Sequence, residues 1–261
     1  MGCYFCGGEV TGVEHIPPRS FFPKGKRREL ITVDSCDIHN QEKSREDEYV
    51  RAILLGSIKL DGKESVEELR NTNARALERS VKRAFEREFS QPQAKEILDI
   101  MEKHKDDPIA GAKTFSEIES KGILKLGLMG LTHKDIKEET VLGSDGENII
   151  TASFIYDQDR LNSFMECMAR GLFFHELGER WVGKVNILPH TFLKDDAPQR
   201  DKELSSYFLR NFDLSKSKGA QKEYFCYEGA NNFDPATLKR DCIYFNFRIF
   251  EEFYFTAIFK F

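Results

Sequence analysis

The sequence predicts an α+β fold in three parts: a small metal-held N-terminal module, a helical middle, and an α+β C-terminal region ending in antiparallel aromatic strands. Three observations carry this prediction. Two pairs, Cys3-x2-Cys6 and Cys36-x2-His39, bracket a segment rich in Gly and Pro. Apolar residues then recur at three- and four-residue spacing, the period of a helix buried on one side. The last third holds YFCYE, CIYFNFRIF and FYFTAIFKF, aromatic and β-branched runs that suit a pleated, half-buried surface. The expected parts span 1–60, 61–150 and 151–261.

Composition bounds the class. A chain of 261 residues with 40% hydrophobic content and 22 Phe can fill a true core, which excludes a disordered chain. No apolar run approaches the ~20 residues that span a bilayer, and nothing at Met1 resembles a signal peptide. Met1-Gly2-Cys3 lacks the Ser or Thr that myristoylation wants at position 6, where Cys6 stands. A cytoplasmic protein without a membrane partner is therefore expected. In that reducing compartment six cysteines are ligands or buried thiols rather than disulfides; Cys167, Cys226 and Cys242, set among apolar neighbours, read as core thiols. A net charge of −5 excludes indiscriminate coating of nucleic acid but leaves room for a local basic site.

Taken in order, residues 1–40 read as loops and two strands, such as Leu30-Ile31-Thr32-Val33, with too small a core to stand without a metal. From Lys43 the pattern turns helical through Tyr49, Val50, Ile53, Leu54 and Ile58. A second helix, about 64–90, aligns Leu69, Leu77, Val81, Ala84, Phe85 and Phe89, and a third, about 93–105, carries Ile97, Leu98 and Met101. Residues 106–150 show no clear order. A helix over about 158–181 follows Asp157, a good N-cap, with Leu161, Phe164, Met165, Met168, Leu172 and Phe173 on one face. Another covers 201–212. The terminal strands are separated by a turn-like GANN and by Glu251-Glu252.

The two pairs at the N-terminus each have the two-residue gap that lets both side chains of a tight turn meet one ion. Zinc takes four soft or borderline ligands in a tetrahedron, which Cys3, Cys6, Cys36 and His39 supply. Gly7 and Gly8 suit the backbone turn after the first pair. The alternative is two buried thiols and a surface histidine.

Between the pairs sits Glu14-His15-Ile16-Pro17-Pro18. A carboxylate suits a hard cation, and a neutral imidazole suits proton abstraction from water near pH 7. In an extended strand the two side chains point to opposite faces; at a bulge they converge. Asn40, just after the second pair, adds a hard neutral oxygen, and Lys43 a point charge for phosphate. Together, Glu14 and Asn40 can hold one Mg²⁺.

The order C-x2-C, Glu-His-Ile-Pro-Pro, C-x2-H-Asn, Lys-Ser resembles the HNH endonucleases over about residues 1–55. The final Asn with Lys-Ser is also similar to the HNH domain of the CRISPR effector nuclease. The resemblance implies a ββα-metal fold with one catalytic Mg²⁺ or Mn²⁺ between a hairpin and a helix. It makes His15 the general base, Glu14 and Asn40 the cation ligands, and Ser44 a lesser candidate ligand. It implies structural zinc on the paired knuckles, and products bearing a 5′-phosphate and a 3′-hydroxyl. Two departures stand: the second knuckle ends in His39 where Cys is usual, and the middle Asn that orients the histidine has no match, Glu29 lying near its place. A rival assignment moves His39 to the magnesium site and leaves zinc with three cysteines.

Basic groups fit a nucleic-acid reading. Arg19, Lys24, Lys26, Arg27 and Arg28 lie in the segment between the pairs beside Phe21 and Phe22, a loop for gripping phosphate or a solvated turn. Of these, Arg19, Arg27 and Arg28 join Lys43 as candidate substrate contacts. Arg75, Arg79, Arg83 and Arg87 form a stripe that can track a duplex or pair with Glu78 and Glu86. RGLFFHELGERW, residues 170–181, offers His175-Glu176 but has Glu179 where a metalloprotease helix needs its second histidine. The leading expectation is thus a zinc-stabilised, Mg²⁺-dependent nuclease acting on DNA, in a phage-defence or toxin-like setting, gated by a regulatory protein or a second copy. The rival is a zinc-held binding module with an inactive centre; a protease is the third class.

Overall fold

The computed structural model describes residues 2–88, 148–194, 196–233 and 239–261, and between 89 and 147 only Lys95, Asp99, 102–104, 125–126, 131–132, 136–142 and Gly146. Among these residues the fold is mixed α and β, with four α-helices and antiparallel strands. No helix among them is long and apolar enough to cross a membrane.

The chain begins with a hairpin of β1 (Gly12–Ile16) and β2 (Ile31–Ser35), in unbroken register from Gly12 opposite Ser35 to Ile16 opposite Ile31. A π-helical turn, Ile38–Glu42, leads into α1 (Ser44–Leu55). The apolar face predicted for α1 is buried at Tyr49, Val50, Ile53 and Leu54. Helix α2 (Glu64–Glu88) matches the expected 64–90 closely.

Two compact units emerge. One joins residues 1–69 with 158–261; the other is 70–157. This differs from the three-part division expected from sequence, because the N-terminal hairpin has little core of its own and shares that of the C-terminal region. In the second unit the described residues include β3 (Lys125–Leu126) pairing with β4 (Leu131–Thr132), and a hairpin of β5 (Ile136–Leu142) and β6 (Asn148–Phe154). The middle is therefore not purely helical. Thr140-Val141 and Ile149-Ile150-Thr151 are the strand signal there, and Gly146 between them takes a positive φ of 83°. Most of the helix expected over 93–105 lies outside the described residues.

Helix α3 (Gln158–Leu177) begins one residue after Asp157, as the N-cap reading requires. It ends four residues before the expected Trp181, because Gly178 takes a left-handed φ of 69° and its N–H closes on Phe174 O at 2.8 Å. Beyond it come β7 (Val185–Pro189), which sequence reasoning missed, and α4 (Gln199–Asn211). The meander β8 (Phe225–Phe233), β9 (Arg240–Ile249) and β10 (Phe253–Lys260) completes a sheet ordered β7-β10-β9-β8. GANN is not a turn: Gly229 to Asn232 form the outer half of β8, and the bare Gly229 gives the Phe245 ring room to lie across it. The turn at Glu251-Glu252 stands, with Phe250 and Glu251 both at positive φ.

Register explains the aromatic strands. On one sheet face Phe225 and Tyr227 flank Ile249 and Phe247, and Phe253, Phe255 and Phe259 continue the layer. Helix α3 covers it, with Phe173 4.9 Å from Phe259 between ring centroids, and Phe21 from the hairpin loop stacks between Phe164 and Phe250. On the other face α4 sets Phe208 against Tyr244. A polar chain runs through that side: Ser205 Oγ donates to His190 Nδ1 (2.8 Å), His190 Nε2 donates to Thr256 Oγ1 (2.7 Å), and Thr256 donates to Asn246 Oδ1 (2.7 Å). The Asn oxygen can only accept, and this sets the direction of the chain and the tautomer of His190.

Helix α3 also packs on β1, β2, β7 and α1. It approaches β1 through Gly171, where an added Cβ would overlap the buried Ile16 Cδ1. Gly171→Ala is expected to cost about 1–3 kcal/mol through overpacking, seen as a lower denaturant midpoint at unchanged slope. His190 supplies a pH signature. Burial pushes its pKa down to about 4, so between pH 6.5 and 4 the unfolded chain binds the extra proton. Stability from this group is complete above pH 6.5 and drains as pH falls towards 4, by ~3 kcal/mol. His190→Gln should flatten that segment of the stability-versus-pH curve.

Candidate metal centre

The N-terminal turn is shaped for a metal. Cys3 N–H donates to Gly8 O (2.9 Å), Gly7 N–H to Cys3 O (2.8 Å), and Gly8 N–H points at Cys6 Sγ (3.4 Å). Gly7 sits at φ 76°, a conformation that favours glycine. Tyr4 N–H donates to Asp34 O (2.8 Å), which ties this turn to β2. At the far end of β2, the π-helical turn swings His39 back over Cys36.

These two turns bring Cys3, Cys6, Cys36 and His39 together, their ligand atoms all within 4.8 Å of one another. Cys6 Sγ lies 3.8 Å from Cys36 Sγ, and His39 Nδ1 lies 3.8 Å from Cys3 Sγ and 3.2 Å from Cys36 Sγ. A tetrahedron built on Zn–S bonds of about 2.3 Å has edges of about 3.8 Å. The donor set therefore fits a metal such as zinc, with Nδ1 as the histidine ligand. Burial raises the Cys3 thiol, but the backbone groups of Cys6, Phe5 and Cys36 more than offset it and bring its pKa down to about 7. That favours the thiolate a metal requires. Burial raises the Cys36 thiol, while burial and the nearby Lys43 lower His39 and keep the imidazole neutral.

The unbroken hairpin register keeps Glu14 and His15 on opposite faces. Glu14 points inward and is 4% exposed, towards the face where α1 packs. There Lys43 Nζ lies 2.9 Å from Glu14 Oε1 and 3.2 Å from Asp47 Oδ1. Burial raises the Glu14 carboxyl to about 7 against the opposing pull of Lys43, and burial likewise raises Asp47. Burial would lower the Lys43 ammonium, yet Asp47 and Glu14 together hold it above its ordinary value. Lys43 is thus a shared internal cation, its side chain 11% exposed, rather than an open substrate contact. As placed, its ammonium takes the Glu14 oxygen that a divalent ion would use.

His15 lies half-buried on the outer face, opposite Thr32, and makes no hydrogen bond with a described residue. Burial and the neighbouring charge of exposed Arg19 lower its pKa, leaving a neutral imidazole at pH 7. Asn40 reaches β1 by donating Nδ2 to Val13 O at 3.1 Å, which leaves its amide oxygen as a free acceptor. Ser44 is exposed at the start of α1. Glu29 is exposed at φ 56° and does not supply the missing orienting group. In the hairpin loop Arg27 Nε is spent on Phe22 O (3.0 Å) and Lys26 on Glu223 (3.4 Å), while Arg28 is exposed. At the end of α3, Glu176 accepts from Tyr227 Oη (2.5 Å) and Lys218 Nζ (2.6 Å), so its carboxylate is already satisfied.

Asp47 escaped the sequence reading. Its signal was a charge placed one turn after Lys43 and one turn before Val50, on the face of α1 otherwise filled by apolar residues. The chain matches no protein family, no curated protein and no solved structure with which it was compared.

The purified chain is expected to carry a single zinc ion by elemental analysis, lost in Cys36→Ser and in His39→Ala. Removing it with a chelator should make residues 1–40 the first target of limited proteolysis, since that stretch has few apolar contacts of its own.

Proposed function

We propose that this chain is a zinc-stabilised nuclease of the HNH type, hydrolysing phosphodiester bonds in DNA with His15 as general base. The observation that carries this reading is the frame itself: a hairpin followed by α1, closed by the four-residue cluster and joined by the Asn40–Val13 hydrogen bond. Glu14 faces the helix side of the hairpin, and His15 stands on the open side with an unengaged imidazole. For both groups to act on one phosphate the strand must bulge between them.

In this reading His15 takes the proton from a water molecule as it attacks phosphorus. Exposed Arg19 beside it, together with Arg28, holds the phosphate by charge, and the loop that Arg27 braces sets their positions. Glu14 and Asn40 would hold Mg²⁺ or Mn²⁺, which when bound supplies neutralisation of the charge growing on the phosphate. For that role Lys43 must release Glu14.

A second reading rests on that same ion pair. With Lys43 fixed between Glu14 and Asp47, the centre is closed to a divalent ion, and the chain is a zinc-held module that binds nucleic acid or protein without cutting. Supercoiled plasmid incubated with Mg²⁺ or Mn²⁺, with and without EDTA, separates the two. The nuclease reading expects nicking or linearisation that falls at least about 100-fold in His15→Ala, with zinc content and thermal unfolding unchanged. Cleavage by His15→Ala at the wild-type rate overturns the assignment. DNA retention without cleavage at every metal concentration favours the binding module.

A further inference from the structure

The stretch RGLFFHELGERW has no part in the proposed chemistry, yet it reaches the metal ligands. Arg170, near the middle of α3, is a buried cation with every partner in place. Its Nε and Nη2 donate to Glu166 Oε1 (2.8 and 2.6 Å), Nη1 to Trp181 O (2.8 Å), and Nη2 also to Gly183 O (2.9 Å). These bonds fold the segment after Gly178 back along the helix and fix the guanidinium plane. That plane sits over the Phe5 ring, with Cζ 4.8 Å from its centroid. Phe5 in turn lies flat on the imidazole of His39, centroids 4.3 Å apart and planes 19° from parallel. Arg180, past the end of the same helix, also meets the first turn: a Cβ on Gly7 would come 3.0 Å from its Nε.

We infer that Arg170 is a positioning residue of the metal centre, acting through Phe5 to hold the His39 ring in the plane that aims Nδ1 at the cysteine sulfurs. Two physical effects support this. Rotation about the Cβ–Cγ bond of a histidine is broad, and a flat ring pressed on its face narrows it. Three thiolates and a neutral imidazole around Zn²⁺ leave one net negative charge, which a cation layered behind the aromatic ring offsets. Groups beyond the ligands that fix a metal-bound histidine commonly weigh about 10–100-fold in metal affinity. This inference needs only the four-ligand cluster and stands apart from the nuclease reading.

The test is metal release and ligand geometry, read without any cleavage assay. Zinc transfer to a chromophoric chelator is timed for wild type, Phe5→Leu, Phe5→Trp and Arg170→Gln, and the same proteins are loaded with Co²⁺ for their visible spectra. Phe5→Leu and Arg170→Gln should release zinc roughly 10-fold faster and shift the cobalt d–d bands, while Phe5→Trp, which keeps a ring on the imidazole, stays near wild type. Should Arg170→Gln fail to fold, Phe5→Leu decides alone, because Phe5 makes none of the bonds that fold the 178–183 segment. Wild-type release rates and unchanged cobalt spectra in folded Phe5→Leu, or in folded Arg170→Gln, overturn the inference.

Discussion

Ile16 lies against Gly171 with no room for a single methyl group between them. Around this contact the unit formed by residues 1–69 and 158–261 is arranged. The end of β1 can sit on α3 only because the helix is bare at that point, and α3 spreads its remaining apolar residues over the aromatic face of the C-terminal sheet. Phe21, thrown from the hairpin loop into the space between Phe164 and Phe250, extends the same core. The N-terminal segment is thus gathered at two ends: by packing on α3, and at the cluster of Cys3, Cys6, Cys36 and His39, which could hold a metal between residues 3–6 and residues 36–39. Neither is dispensable, since a hairpin of this length is marginal by itself in water.

That arrangement ties the candidate centre to distant sequence. Glu14 is buried where α1 packs, and its charge is answered by Lys43, one turn before a second buried carboxylate. An ion trio so placed is costly to desolvate and strongly unfavourable to break by halves. It holds α1 to β1 in one register, and it sets the electrostatic state in which any incoming cation must compete. The ring stack from His39 through Phe5 to Arg170 performs a comparable service for the metal cluster from the opposite side.

Much of this was legible in the sequence where a short spacing implied a short distance. The paired turns of Cys3, Cys6, Cys36 and His39, the helix after Asp157 and the three aromatic strands all follow from local pattern. Other features depend on partners far along the chain. Lys43 reads as a free cation until Glu14, 29 residues earlier, is seen to face it. GANN reads as a turn because Gly and Asn are poor strand formers, and only the Phe245 ring lying over Gly229 explains its extended course. Strand β7 is short and ends in Pro, which hides it; pairing with β10 supplies what its own residues do not. The early stop of α3 was visible in Gly178, but the apolar pattern running on to Trp181 masked it.

The outer half of β8 has one more consequence. Strand β8 is an edge of the four-stranded sheet, and along its inner half Lys218 bridges to Tyr227 and covers the open backbone. From Gly229 to Asn232 the described residues are half-buried or exposed, and there the chain carries Gly, Ala and two Asn, residues with little tendency to recruit another strand, before the register shifts at the exposed Phe233. A sheet so rich in phenylalanine is a hazard for edge-to-edge association between copies. The weak strand formers at its open border act as a guard against that, at the cost of some stability within the sheet itself.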